Sequence, residues 1–374
     1  MSMAAAPISS TGLFPCLPED SLMKDVGAKL KRFYEDHVRL GSDRRNALAK
    51  HRDDNADRLK SGLDALGVKN GCVYAYPKEV QDQGSYAMVT MNQHRDNDYD
   101  IDVALIFEAD DLPEDARDAR VRICSAFNEK PRNFRQPAKA RDNAVTVWYA
   151  DGYHLDFAIY RRRSVLWGEV IEHAGADGWR KRNPKEVSDW FHEVVDNHSP
   201  SLFATVEKKQ LRRIVRLLKW FCKSRSSWDM PGGMIVSTLT VECYVADSAR
   251  DDVALYNTMV QLAKRLDGGC HVKSPVADEW LTEKDKNHQR VSNFKAQLDN
   301  AIEKLEVLFE DGCTDQKAFL AWNFVFKHDF WAEAAGGIAK ASLTGGLLRP
   351  AAAVGGQFAF PDKPVTIKKP AGFA

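Results

Sequence analysis

Asp100 and Asp102 stand one residue apart and run straight into Val103-Ala104-Leu105-Ile106-Phe107. In a strand, residues i and i+2 point to the same face. Both carboxylates therefore project from one side of a strand whose remainder is core. Two carboxylates this close repel unless a positive charge sits between them, and a divalent cation is the usual answer. Upstream, Gly84-Ser85 is a small turn at which backbone N–H groups can approach a phosphate; for Ser85 alone, turn capping is the other reading. Asp156 is the third carboxylate. It lies mid-strand in Tyr153-His154-Leu155-Asp156-Phe157-Ala158-Ile159-Tyr160, an expensive place for a lone Asp. If its strand neighbours the first, three carboxylates converge, the ligand set for two Mg²⁺ ions roughly 3.5–4 Å apart. One ion would activate a sugar hydroxyl and the other would hold a triphosphate. Hard oxygen ligands fit Mg²⁺ better than Zn²⁺, with Mn²⁺ able to substitute. An Asp-x-Asp pair on its own is more often a surface acidic pair. The Gly-Ser turn, the apolar continuation and the later strand Asp together point to a metal-dependent enzyme acting on nucleotides.

The elements that must position these residues can be read outward from them. Cys72 to Tyr76 has strand composition and ends at Pro77. Gly84 to about Met91 reads as a short helix or turn, followed by a polar loop, Asn92 to Asp98. A helix is expected from Asp115 to about Asn128, a strand over Val145–Tyr149, and a hairpin turn at Asp151-Gly152. In the returning strand Leu155, Phe157 and Ile159 share one face; His154, Asp156, Ala158 and Tyr160 share the other. Before this core, Asp20 or Ser21 can cap a helical region reaching about Gly67, which Gly41-Ser42 either divides or bends. From about Trp167 helical patterns dominate: a start at Pro184, a buried helix around Leu211–Cys222, and amphipathic stretches over Leu255–Leu266 and Val291–Phe309. The segment Ile235–Val245 suits helix and strand alike.

The chain of 374 residues has ample material for a core. With 53 basic and 53 acidic residues, bulk charge makes no case for a nucleic-acid or membrane partner. Seven scattered cysteines, none in C-x-x-C, read as core thiols in a reducing cytoplasm. No signal peptide or 18-residue apolar run is present, so a cytoplasmic location without a membrane span is expected. Four segments are anticipated: a flexible arm over 1–18, a core with N-terminal helices over 19–165, a helical lobe over 166–335, and a Gly/Pro-rich tail over 336–374.

Gly-Ser, then Asp-x-Asp on a strand, then a hydrophobic-Asp-hydrophobic strand resembles the nucleotidyltransferase superfamily that includes polymerase beta. QGSYAMVTM with DNDYDIDVALIF, YHLDFAIY, RKRNPKEVSDWF and LLKWFCKSRSSWDMPGG are more particularly similar to the bacterial cGAS/DncV-like nucleotidyltransferases. The likeness is firm over about residues 70–250. It implies an α+β fold: a polymerase-beta-like core on a small mixed sheet, with a mostly helical second lobe closing the cleft. It implies a cyclic dinucleotide synthase that joins ATP and GTP with release of pyrophosphate, in anti-phage signalling. Two rivals stay open: transfer of a nucleotide to RNA or a small acceptor, and a non-catalytic nucleotide-binding scaffold.

By position, Asp100, Asp102 and Asp156 match the family's metal ligands and Gln83, Gly84 and Ser85 its donor-phosphate turn. Lys219 matches a lysine that reaches the triphosphate, against the alternative of a snorkelling surface lysine. Ser237 matches a phosphate contact, although Pro231-Gly232-Gly233 stands where the family often has Pro-Ser-Gly. Arg182 and Asn183 match a segment that reads a nucleobase, while Asn before Pro is equally an ordinary helix-entry residue. The frequent Asp-Ile-Asp-Asp-Gly is here interrupted by Val103-Ala104 after Asp102. The His-Cys-Cys-Cys cluster of the animal zinc module is missing, so direct activation by DNA is not expected. A monomer is anticipated. The end, Lys368-Lys369-Pro370-Ala371-Gly372-Phe373-Ala374, resembles tails that ubiquitin-transfer-like enzymes conjugate to other proteins, or is an end with no role. The run Arg161-Arg162-Arg163 could steer phosphates or be a solvated strand exit.

Overall fold

The computed structural model describes residues 22–93, 99–131, 133–150, 152–198 and 209–344. The arm over 1–18, the caps proposed at Asp20 and Ser21, Cys16, Asp151 and the C-terminal tail from 345 lie outside those residues, as does the polar loop over 94–98.

The architecture is α+β, as expected. A mixed sheet of seven strands holds β1 (Glu79–Asp82), β2 (Asp100–Glu108), β3 (Phe134–Ala140), β4 (Val145–Tyr149), β5 (His154–Val165), β6 (Gly168–Gly175) and β7 (Gly178–Lys181). The order along its main path is β1-β2-β5-β4-β3, and β5 pairs onward with β6 and β6 with β7. Only β2 and β5 run parallel; their other pairings are antiparallel. Period-two alternation gives each central strand two faces. Ile101, Val103, Leu105 and Phe107 of β2 and Leu155, Phe157 and Ile159 of β5 fill the core. Against them pack Leu59, Leu63 and Leu66 of α2 (Ser42–Asn70) and Ala119, Ile123 and Phe127 of α4 (Ala116–Glu129). Asp115 caps α4 by accepting from the Asp118 amide at 2.9 Å. The opposite face carries Asp102, Ala104 and Ile106 beside Asp156, Ala158 and Tyr160, and looks toward the helical half of the molecule.

That second half consists of α5 (Glu186–His198), α6 (Gln210–Lys223), α7 (Gly233–Cys243), α8 (Asp251–Asp267), α9 (Asp285–Leu305), α10 (Asp315–Phe326) and α11 (Asp329–Thr344). Their core includes Ile214, Leu218, Phe221, Leu239, Met259, Leu262, Phe294 and Trp322. α1 (Gly27–Phe33) belongs to this core and not to the sheet's: Leu30 and Phe33 pack among its aromatic residues. A short bridging cluster, Met88 with Phe191, Val195, Leu211 and Val215, joins the two halves.

Several local expectations need correction. Cys72–Tyr76 is not a strand; the sheet begins beyond Pro77, at Glu79, where the backbone can donate again. The chain does not turn helical at Trp167: the sheet continues through β6 and β7, whose charged, half-exposed residues hide their alternation. The expected division at 165 falls in the β5–β6 turn. Residues 336–344 belong to α11 despite Gly336-Gly337. The open choice at Ile235–Val245 resolves to helix. Six described cysteines are unpaired thiols.

Candidate active site

The parallel pairing of β2 with β5 sets the site. Asp102 lies opposite Asp156 and Asp100 opposite His154. Asp102 and Asp156 thus stand side by side on the face turned away from the sheet's core, with Asp100 two residues before Asp102 on that face. The ligand atoms of Asp100, His154 and Asp156 all lie within 4.8 Å of one another, with His154 Nε2 at 3.1 Å from Asp100 Oδ1. His154 shares the Asp156 face of β5, and its i, i+2 spacing from Asp156 is the sequence signal that marks it. Thr146, opposite Asp156 on β4, was missed. Its hydroxyl donates to Asp156 Oδ1 and fixes that carboxylate's rotamer.

Asp102 turns Oδ2 toward the Gly-Ser turn. The turn is α3 (Gly84–Ala87), entered through Gln83, whose amide donates to the Asp102 carbonyl at 2.9 Å. Gly84 has φ +57 and approaches so closely that a Cβ there would lie 1.9 Å from Asp102 Oδ2. Only glycine serves on both counts. The Gln83 side chain is buried; its amide nitrogen donates to the Tyr160 hydroxyl (2.9 Å) and the Pro184 carbonyl (3.3 Å).

The electrostatics are those of crowded, buried acids. Burial, then Asp100 and Asp156, hold the Asp102 carboxyl well above the usual range. Burial and Asp100 raise Asp156, partly offset by the Thr146 hydrogen bond and His154. Lys219, on α6, faces the same cleft and donates to Thr90 O (3.0 Å) and Thr90 Oγ1 (3.2 Å). Burial, then Lys223 and Arg216, lower its pKa to about 7. It sits beneath the α7 start, where a Cβ on Gly233 would lie 3.1 Å from its Cε. The smallness of Gly233 in Pro-Gly-Gly thus makes room for the lysine.

The other expected contacts are placed as follows. Ser237 is buried and donates its hydroxyl to the Gly233 carbonyl at 2.8 Å. Arg182 donates its amide to Ile171 O at 3.0 Å, and its charge partly offsets the burial that pushes the Tyr160 hydroxyl up. Asn183 Oδ1 accepts from the Lys185 amide at 3.0 Å, the hydrogen bond of a helix-entry residue. Of the arginine run, Arg161 and Arg163 pair with Glu172, and Arg162 with Glu79 and Glu108. Their charge is largely spent within the sheet.

Carboxylates side by side under a glycine turn, on a mixed sheet faced by helices, can hold a divalent metal next to a phosphate. Residues 78–160 match the family model for the nucleotidyltransferase domain of DncV-like cyclic GMP-AMP synthases. Among solved structures, Vibrio cholerae DncV bound to the linear intermediate 5′ pppA(3′,5′)pG has a TM-score of 0.62 at 15% identity, covering 82% of this chain and 96% of that one. Bradyrhizobium diazoefficiens CdnG in complex with GTP has a TM-score of 0.58 at 15% identity, over 81% and 95%. Escherichia coli MS115-1 CdnC, from its complex with HORMA-deltaN, has a TM-score of 0.56 at 18% identity, over 80% and 96%. Over residues 78–160 the chain thus resembles a DncV-like nucleotidyltransferase domain, and over most of its length it shares the fold of these bacterial proteins.

Proposed function

We propose that the protein is a Mg²⁺-dependent cyclic dinucleotide synthase, joining ATP and GTP into a cyclic GMP-AMP-type second messenger for anti-phage signalling. The observation that carries this reading is the β2–β5 register, which sets Asp102 beside Asp156 and Asp100 beside His154 below the Gly84 turn. The residues fit a divalent metal: Asp102 is surrounded by protein and by two further carboxylates, so its charged form needs a counter-charge there. Asp100, Asp102 and Asp156 would hold it, with His154 Nε2 within reach of the same position. When bound, such ions supply Lewis-acid activation of a ribose hydroxyl and charge stabilisation at the phosphates.

The chain's own residues do the positioning. The Gly84-Ser85 turn offers backbone N–H groups to the donor phosphates, and Lys219 reaches the triphosphate by leaving Thr90. Arg182 and Asn183 stand at the entry to α5, where a nucleobase would be read. Ser237 supports the Gly233 backbone under which Lys219 sits. Little covalent work falls to the protein in phosphoryl transfer, so rate enhancement comes from orientation and fixed charge. The tail from Lys368 to Ala374 is proposed as a conjugation site for ubiquitin-transfer-like enzymes, on a protein acting as a cytoplasmic monomer.

The test is incubation with Mg²⁺ and radiolabelled ATP and GTP. A phosphatase-resistant product that Asp100→Asn plus Asp102→Asn abolishes supports the synthase. Only linear or acceptor-linked products would replace it with a transferase to another acceptor, and undiminished biological activity of the double variant would leave a scaffold.

A further inference from the structure

The segment after the Gly84-Ser85 turn is held by its carbonyls. Arg45 Nη2 donates to the Tyr86 carbonyl at 3.1 Å, and His192 Nε2 lies 3.1 Å from that of Ala87. Arg212 Nη1 donates to Met88 O at 2.5 Å and Lys219 Nζ to Thr90 O at 3.0 Å. Four of the five carbonyls from Tyr86 to Thr90 thus take a basic side chain, drawn from α2, α5 and α6. The fifth residue, Val89, has φ +52. A β-branched side chain in the left-handed region is strained, and such a backbone persists only where its surroundings over-determine it.

Arg212 and His192 are joined within this collar. Arg212 is fully buried. Its guanidinium is spent on a carbonyl and on His192 Nδ1, 3.2 Å from Nη2. Nδ1 can accept from a guanidinium only when the imidazole is neutral with its proton on Nε2. Nε2 is the nitrogen that faces the Ala87 carbonyl, so both neighbours select one tautomer. Burial and then Arg212 lower the His192 pKa, in keeping with a neutral ring. A buried arginine used this way is costly, and what it holds is the backbone that aims the turn at Asp102.

We propose that Arg212 and His192 are positioning residues for the Gly84-Ser85 turn: they clamp the strained Met88-Val89 backbone so that the turn's N–H groups stay aligned on the donor phosphates. This rests on the nucleotidyltransferase reading for its ligand, but not for its geometry.

The experiment compares wild type with Arg212→Lys, Arg212→Met, His192→Gln and His192→Phe. Amide exchange of residues 84–90, Mg²⁺-ATP binding and the binding of Mn²⁺ alone are measured on each. His192→Phe and Arg212→Met are expected to speed exchange in 84–90 and weaken ATP by about tenfold or more, leaving Mn²⁺ affinity unchanged. His192→Gln, which keeps a donor near the Nε2 position, and Arg212→Lys should recover part of both. Unchanged exchange in 84–90, an equal rise throughout the chain, or unaltered ATP affinity despite local loosening would overturn the proposal. If Arg212→Met fails to fold, His192→Phe decides alone. If wild type binds no nucleoside triphosphate, the functional reading falls, while the exchange pattern still judges the clamp.

Discussion

Asp102 and Lys219 both carry a charge that the fold makes costly, and each yields a pH signature. Burial and two neighbouring carboxylates raise the folded pKa of Asp102 above that of an unfolded aspartate. As pH rises the unfolded chain loses its proton first, so the folded state is penalised from about pH 4 upward. Metal-free Asp102→Asn is therefore expected to melt above wild type near neutral pH, with the difference gone by about pH 3 and turnover lost at every pH. For Lys219 the shift is downward, to about 7. Between there and the ordinary lysine range the unfolded chain holds more protons, so stability rises with pH across that window. Lys219→Met should then stabilise most at and below about pH 7 and progressively less toward about pH 10. Thermal melts across the two ranges check both; a pH-independent difference would refute the assignment. The carboxylates were legible as types and spacings because strand periodicity is local. His154 was visible on the correct face, but its role depends on standing opposite Asp100 on another strand. Thr146 was not legible, since only cross-strand pairing brings it to Asp156.

Among elements, a tight backbone-to-backbone constraint lies behind the site, where α2 meets α4. A Cβ on Gly62 would lie 2.1 Å from the Ala126 carbonyl oxygen. Backbone cannot retreat as a flexible side chain would, so Gly62→Ala must part the helices that back the sheet. A loss of about 1–3 kcal/mol is expected by urea unfolding. Metal affinity should follow stability only weakly, because α2 and α4 cover the face opposite the carboxylates. The elements easiest to read in advance were those with an apolar run or a regular apolar spacing: β2, β4, β5 and α6. β6 and β7 escaped notice because both faces are partly wet and neither shows alternation. β3 holds Pro137 and a shifted register, which removes the same signal.

At the scale of the molecule, the first helix is stitched into the last. The Phe33 ring lies 4.8 Å from that of Phe326, 5.5 Å from Trp331 and 5.7 Å from Trp220. Lys24 donates its amide to the Leu308 carbonyl at 2.8 Å, and Asp252 accepts from the Val26 amide at 3.1 Å. Phe33→Ala is expected to cost about 3–5 kcal/mol and to shift tryptophan emission to the red as the aromatic cluster loosens. A variant as stable as wild type would show that α1 is dispensable to the helical half. Because the chain leaves that half after α1, builds the sheet, and returns at α5, the two walls of the cleft share one covalent path at each end. No helix among the described residues is long and apolar enough to cross a membrane.

The sequence by itself determined the chemistry available: a carboxylate pair on one strand face, a third carboxylate in a second strand, a glycine turn between apolar runs, and a lysine on a buried helix. These are local properties, carried by residue type and by periods of two and 3.6. Tertiary structure alone decided that β2 and β5 lie parallel in a register that sets Asp102 beside Asp156. It also turned Lys219 onto Thr90 and gathered Arg45, His192 and Arg212 around the strained turn. Those relations join residues roughly 40 to 130 positions apart, which no local period can encode.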